Sequence, residues 1–165
     1  MLSIAIASDD AARELKDILV QFLGNKGLEI KDYSDTGNLY PDIAVHLAQQ
    51  IVNGAHQRGI LLCGTGIGMS ISANKVPGIR AALCHDNYSA ERARKSNDAQ
   101  IITLGARVIG PELAKSILTS WLASEFEAGG SAAKVARIEY YDHQFHQNAG
   151  EAKNAAPAGE ANEKT

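Results

Sequence analysis

Five short aliphatic and β-branched runs recur along the chain, at residues 2–7, 28–32, 59–63, 80–83 and 101–104. Each has the length of a strand, and the runs at 2–7, 59–63 and 101–104 are nearly continuous in apolar residues rather than alternating, as in strands covered on both faces. Longer stretches with helical spacing separate them, at residues 11–25, 42–53, 67–74, 89–95 and 111–124. In the first of these, Leu15, Ile18, Leu19 and Phe22 share one face while Arg13, Lys16 and Asp17 lie off it. Pro41 and Pro111 mark helix starts, and Gly54 follows a helix end. Strict alternation of strand and helix predicts a parallel sheet, because each crossover must carry the chain back along it. The expected fold is α/β, a Rossmann-like three-layer sandwich around a five-stranded parallel sheet.

Past Gly129 and Gly130 a sixth helix is expected, with Val135, Ile138 and Tyr140 or Tyr141 on a stripe that packs against a neighbour. A single domain over residues 1–147 accounts for all of these elements. Residues 148–165 are Ala, Glu, Asn, Lys and Gly with one Pro and one Thr, too polar to bury much surface, and are expected to form a disordered tail.

Composition narrows the function. A net charge of −3 with no basic stripe argues against nucleic acid as a partner. The apolar start meets Asp9 and Asp10 before a signal-peptide core forms, and no run approaches the roughly 20 apolar residues of a membrane span. Cys63 and Cys84 lie at strand ends, without the CxxC spacing or histidine pairs of a zinc site. A soluble protein with two reduced, buried thiols, no bound metal and a cytoplasmic setting is expected.

The chemistry points to one turn. The third strand ends at Leu62-Cys63 and runs into Gly64-Thr65-Gly66-Ile67-Gly68 at a helix start. In parallel sheets ligands bind beyond the carboxyl ends of strands, where glycines admit a ligand to the backbone amides. Gly64-Thr65-Gly66 begins like a dinucleotide fingerprint, with Asp86 as a downstream acid, but the third glycine is misplaced and the turn follows the wrong strand. A Walker loop is excluded because Met69 and Ser70 follow Gly68. An anion or oxyanion cradle remains, with a thiol at its lip. Cys63 could simply close the strand as a small hydrophobe, but a helix N-terminus beside it would favour the thiolate.

The stretch from Gly59 to Ala81, with Tyr40-Pro41, Tyr88-Ser89-Ala90, Asn97-Asp98 and Gly105-Ala106-Arg107-Val108-Ile109-Gly110, resembles the type B ribose-5-phosphate isomerases and their galactose-6-phosphate isomerase relatives. The resemblance runs from Leu2 to Ile138. It implies aldose–ketose isomerisation of a phosphorylated sugar through a cis-enediolate, without metal or organic cofactor. Cys63 matches the catalytic base, and the amides of Gly64, Gly66, Ile67, Gly68 and Ser70 match the cradle for the developing oxyanion. Thr65 would add a hydroxyl, a helix cap being its plainer role. Asp9 matches an acid that handles substrate hydroxyls, its plainer role also being a cap. Tyr40 and Asn97 match substrate-binding positions, Arg107 matches a phosphate-binding arginine, and Lys134 falls near another. The resemblance also implies a site between two subunits, hence at least a homodimer, with a tetramer the larger assembly left open.

Two departures fall within that site. Asp10 and Ser96 stand where the family pattern has histidines, the first of which helps hold phosphate and the second of which opens the sugar ring. An arginine of the pattern is also replaced, by Gly130 or Ser131. A pentose 5-phosphate closes into a furanose, whereas a tetrose 4-phosphate has its ring-forming hydroxyl esterified and needs no ring opener. The run from His85 to Arg92, with Ser96-Asn97 after it, resembles the erythrulose-4-phosphate isomerase branch. His85 is a candidate for ring opening or substrate contact, its plainer role at a strand end being structural. Ribose 5-phosphate is the first expectation and a tetrulose 4-phosphate a close second. A sugar-phosphate binding domain without chemistry is the alternative of another class, which the retained Cys63, Thr65 and glycine turn oppose.

Overall fold

The computed structural model describes residues 2–155, and the side chains of residues 2–146. Five strands form one sheet, all in parallel: β1 (Ser3–Ser8), β2 (Glu29–Asp32), β3 (Arg58–Cys63), β4 (Ala81–Leu83) and β5 (Ile101–Gly105). Their spatial order is β2-β1-β3-β5-β4. The helices are α1 (Arg13–Asn25), α2 (Tyr40–Val52), α3 (Ile67–Ala73), α4 (Asn87–Lys95), α5 (Pro111–Leu122) and α6 (Ala128–Ala155). The expected α/β sandwich is what the chain forms, with element ends shifted by one or two residues.

Two cores cover the two faces. Ile4, Ile6, Ile60, Leu62, Ile102 and Leu104 meet α1, α4 and α5 around the fully buried Trp121. Ala5, Ala7, Leu61, Cys63 and Ile101 meet α2 and α3. Neighbours along β1 and β3 thus point to opposite cores, which is why these strands read as unbroken apolar runs. The edge strand β2 is mostly exposed, and only Ile30 of it packs against the core.

The C-terminal helix differs from expectation in two ways. Its stripe is not covered within the chain: Val135 is buried, but Ile138, Tyr140 and Tyr141 are each close to half exposed. Its backbone, broken at Gly129, then continues to Ala155, past residue 147 where structure was expected to end. Extending an existing helix through Ala, Glu and Lys costs far less than starting one. Residues 156–165 of the expected tail lie outside the described residues. Among those described, no helix is long and apolar enough to cross a membrane.

Candidate active site

The chain changes direction across the sheet between β1 and β3, which lie side by side. From β1 it turns to α1 on one face, and from β3 to α3 on the other, so the loops beyond these strands part and leave a crevice. Ser8 pairs with Leu62, and the Asp9 amide donates to the Leu62 carbonyl at 3.3 Å. Asp9 and Cys63 are therefore next neighbours across the crevice, on backbones roughly 5 Å apart.

Asp9 occupies the N-cap position of a 3-10 turn at Asp10–Ala12, yet its side chain makes no capping bond. The bland role proposed for it by sequence is thus vacant. Instead its Oδ1 is buried without a hydrogen-bond partner, as is Ser8 Oγ. Such atoms are expensive to bury in a dry interior and fit a site that receives polar ligand groups. Both residues line a cavity of about 280 Å³ shared with Asp10, Arg13, Ser34 and Asn38. Asp10 is exposed and pairs with Arg13 at 2.6 Å. Arg13, Ser34 and Asn38 were not singled out from sequence; only the three-residue spacing of Asp10 and Arg13 hinted at the pair.

Across the crevice, Cys63 ends β3 with its side chain 5% exposed. Its Sγ accepts the Gly66 N–H at 3.1 Å, a charge-assisted bond once the thiol ionises. This one amide, rather than a helix dipole, acts on the sulfur, because α3 is only seven residues long. The other thiol, Cys84, is pushed up to about 11 by burial and the nearby Asp86 charge.

Close approaches shape the turn. Gly66 takes φ +77, and a Cβ there would strike Leu83 and the Leu104 backbone. A Cβ on Gly105 would lie 2.6 Å from the Thr65 carbonyl carbon, so the turn rests directly on β5. The Tyr40 ring, at the start of α2, occupies the space beside Gly68. Thr65 is not the cap of α3, whose N-cap is Gly66 without a side-chain bond; its Oγ1 accepts the Ile67 N–H at 3.3 Å in a local turn just before the helix, and the residue stays exposed. Ser70 is a correction to the cradle: its amide donates to Gly66 O and its hydroxyl to Ala81 O, each at 3.1 Å. A helical amide past the first turn is taken by the helix itself, which leaves Gly68 and Met69 as the open end of α3.

Two more residues reach this edge. Arg107 lies with its guanidinium 3.2 Å from the position of a Gly64 Cβ, and its amide donates to Gly64 O at 3.0 Å. It is exposed and pairs with no carboxylate among the described residues. His85 accepts the Gly105 N–H on Nε2 at 2.9 Å, which fixes its proton on Nδ1 when neutral. Asp86 caps α4, accepting the amide and hydroxyl of Ser89 at 2.7 Å, and these bonds hold its carboxyl below the usual range.

Ser96, Asn97 and Lys134 are elsewhere. Helix α4 runs back along the sheet, so Ser96 and Asn97 lie beside Arg80 at the start of β4. Helix α6, which carries Lys134, is tied to the same end by Arg80–Glu139 at 3.1 Å and by Gly78 N–H to Asp142 at 2.6 Å. A strand length, roughly 15 Å, separates them from Cys63 in one chain.

A thiol under an amide, a carboxylate with one buried oxygen unpartnered and a guanidinium free of carboxylates among the described residues gather around a switch-point crevice, a constellation that suits a small polar, anionic substrate. Residues 4–138 match the family described as Ribose/Galactose Isomerase. A D-erythrulose-4-phosphate isomerase of Pectobacterium atrosepticum is 65% identical over 148 residues, 87% of this chain and 97% of that protein. A ribose-5-P isomerase B of Listeria innocua is 53% identical over 146 residues, 87% of this chain and 99% of that one. The structure of ribose-5-phosphate isomerase B of Clostridium thermocellum superposes with a TM-score of 0.84 at 42% identity, covering 87% and 99% of the two chains. The chain belongs to the ribose/galactose isomerase family, and it is an aldose–ketose isomerase of a phosphorylated sugar.

Proposed function

We propose that this enzyme interconverts a tetrulose 4-phosphate, D-erythrulose 4-phosphate in particular, with its aldose isomer. The observation that carries this choice is Ser96, a side chain that cannot do the acid–base work of opening a furanose. A tetrose 4-phosphate has no free hydroxyl with which to close that ring. The 65% identity to a D-erythrulose-4-phosphate isomerase supports the same choice. It reverses the order expected from sequence, where ribose 5-phosphate came first. Ribose 5-phosphate remains the second reading, favoured by the 53% identity to a ribose-5-P isomerase B and by the free Nδ1 of His85.

In the proposed mechanism the Cys63 thiolate removes the proton from the carbon beside the carbonyl. The electron pair moves into the carbon–carbon bond and the carbonyl oxygen becomes the enediolate oxygen. Returning the proton to the neighbouring carbon, with a proton passing between the two oxygens, completes the exchange. Amides at the open end of α3 and the Thr65 hydroxyl face the developing charge, Asp9 takes substrate hydroxyls, and Arg107 takes phosphate. Tyr40 closes the turn from above. Ser96, Asn97 and Lys134 reach this edge only from a second copy of the chain, so the working unit is a homodimer with sites between its subunits.

Erythrulose 4-phosphate, ribose 5-phosphate and free ribose, assayed side by side, test the substrate. The tetrulose phosphate is expected to give the largest kcat/KM. A larger value for ribose 5-phosphate would reverse the choice.

A further inference from the structure

Asn97 stands in an unusual turn. The residue after it, Asp98, has φ +49, a left-handed conformation uncommon outside glycine that Asp and Asn adopt more readily than other residues. Two backbone bonds, Asp98 N–H to Arg94 O at 3.1 Å and Ala99 N–H to Ala93 O at 2.8 Å, close this turn on the end of α4, and one side chain from just before β4 braces it from outside. Arg80, 13% exposed, donates Nε to the Asn97 carbonyl and one terminal nitrogen to the Asp98 carbonyl, each at 3.0 Å. Its other terminal nitrogen reaches Glu139 on α6 at 3.1 Å. The Arg80 amide is itself held by Gln100 Oε1 at 2.8 Å, just past the turn. Arg94 fixes the Asp98 carboxylate from the far side at 3.0 Å.

We propose that Arg80 is the positioning residue of the Asn97 half-site, one planar fork that sets both the Asn97 turn and its distance from α6. The inference rests on the reading above that Asn97 meets the substrate. Arg80 is itself far from Cys63 in its own chain and touches no reacting atom. Three donors in a rigid plane hold two carbonyls and a carboxylate at once, which a lysine ammonium on a flexible stem cannot reproduce. The Asn97 amide nitrogen is meanwhile occupied by Arg92 O at 3.1 Å. The Asn97 side chain is thus braced from α4 and its backbone from β4, as a group placed for recognition requires.

A double-mutant cycle on the full chain separates positioning from plain stabilisation. With the sugar phosphate the enzyme turns over best, Arg80→Lys is expected to lower kcat/KM about tenfold, chiefly through KM. In an Asn97→Ala background the same change is expected to matter by less than about twofold. A full tenfold loss in both backgrounds would overturn the positioning role and leave the Asn97 reading intact. An unchanged kcat/KM in Asn97→Ala alone would overturn both. If Arg80→Lys does not fold, Glu139→Gln, which loosens the fork without removing it, is read in the same cycle by the same criteria.

Discussion

The ring of Tyr40 lies where the side chain of residue 68 would begin, so Gly68 and Tyr40 occupy one space between them. Tyr40 is 40% exposed and can swing outward. Gly68→Ala is therefore expected to leave the fold intact and to move the ring off the turn. A loss in kcat/KM of about tenfold or more should follow, since small displacements at a reacting centre are costly. In a Tyr40→Ala background the added methyl should change little. Wild-type kinetics in Gly68→Ala, with an unchanged circular dichroism spectrum, would remove Tyr40 from the site.

The two thiols should behave differently. Cys84, pushed up to about 11 by burial, is on the order of 0.1% thiolate at pH 8. Iodoacetamide is expected to modify Cys63 alone in the native enzyme and to abolish activity in step with that label, with both thiols reacting after denaturation. Mass spectrometry of digests reads the sites. Cys63→Ala should lose about 10²-fold or more in kcat, the range for removing a general base, with little change in melting temperature. A Cys63→Ala variant that still exchanged the substrate carbon proton with solvent deuterium would sink the assignment of the base.

His56 makes stability depend on pH. It is buried between Ser3 Oγ and Tyr33 OH, each 2.7 Å from a ring nitrogen. Burial, with the Lys31 charge adding to it against Glu29, holds its pKa below the ordinary value. As pH falls, the unfolded chain takes up this proton first. The contribution is therefore complete above about pH 6.5 and declines as pH drops toward the folded-state value. Melting temperatures from pH 7.5 to 5 should fall in the parent more steeply than in His56→Gln. Parallel curves would show that His56 does not carry the effect.

If two chains complete each site, mixing restores what each variant lacks. Cys63→Ala and Asn97→Ala proteins, each impaired alone, form mixed dimers after joint unfolding and refolding. One site of each mixed dimer then holds an intact Cys63 and an intact Asn97. Random pairing should recover about a quarter of parent activity. No recovery, with mixed dimers demonstrated, would place the whole site in one chain.

The sheet was legible because β1, β3 and β5 are covered on both faces and advertise it in unbroken aliphatic runs. The glycine turn was legible because Gly64, Gly66 and Gly68 cluster at a strand end beside Cys63. Ser70 was misjudged, since a string of letters does not say which amides a helix takes for itself. Arg13 escaped notice because an arginine three residues from an aspartate is ordinary on any helix surface, and only the folded loop from Ser34 to Asn38 closes a cavity over it. The bracing of Asn97 by Arg80 joins residues 17 apart through a turn with one left-handed residue, which no periodicity reveals.

The strand length between Cys63 and Asn97 has a consequence for how the enzyme responds to its own abundance. If neither end of a chain acts without the opposite end of another, separate chains contribute nothing to turnover. Specific activity would then follow the fraction of chains in dimers by mass action, and dilution below the dimer dissociation constant would lower turnover per chain as an inhibitor does.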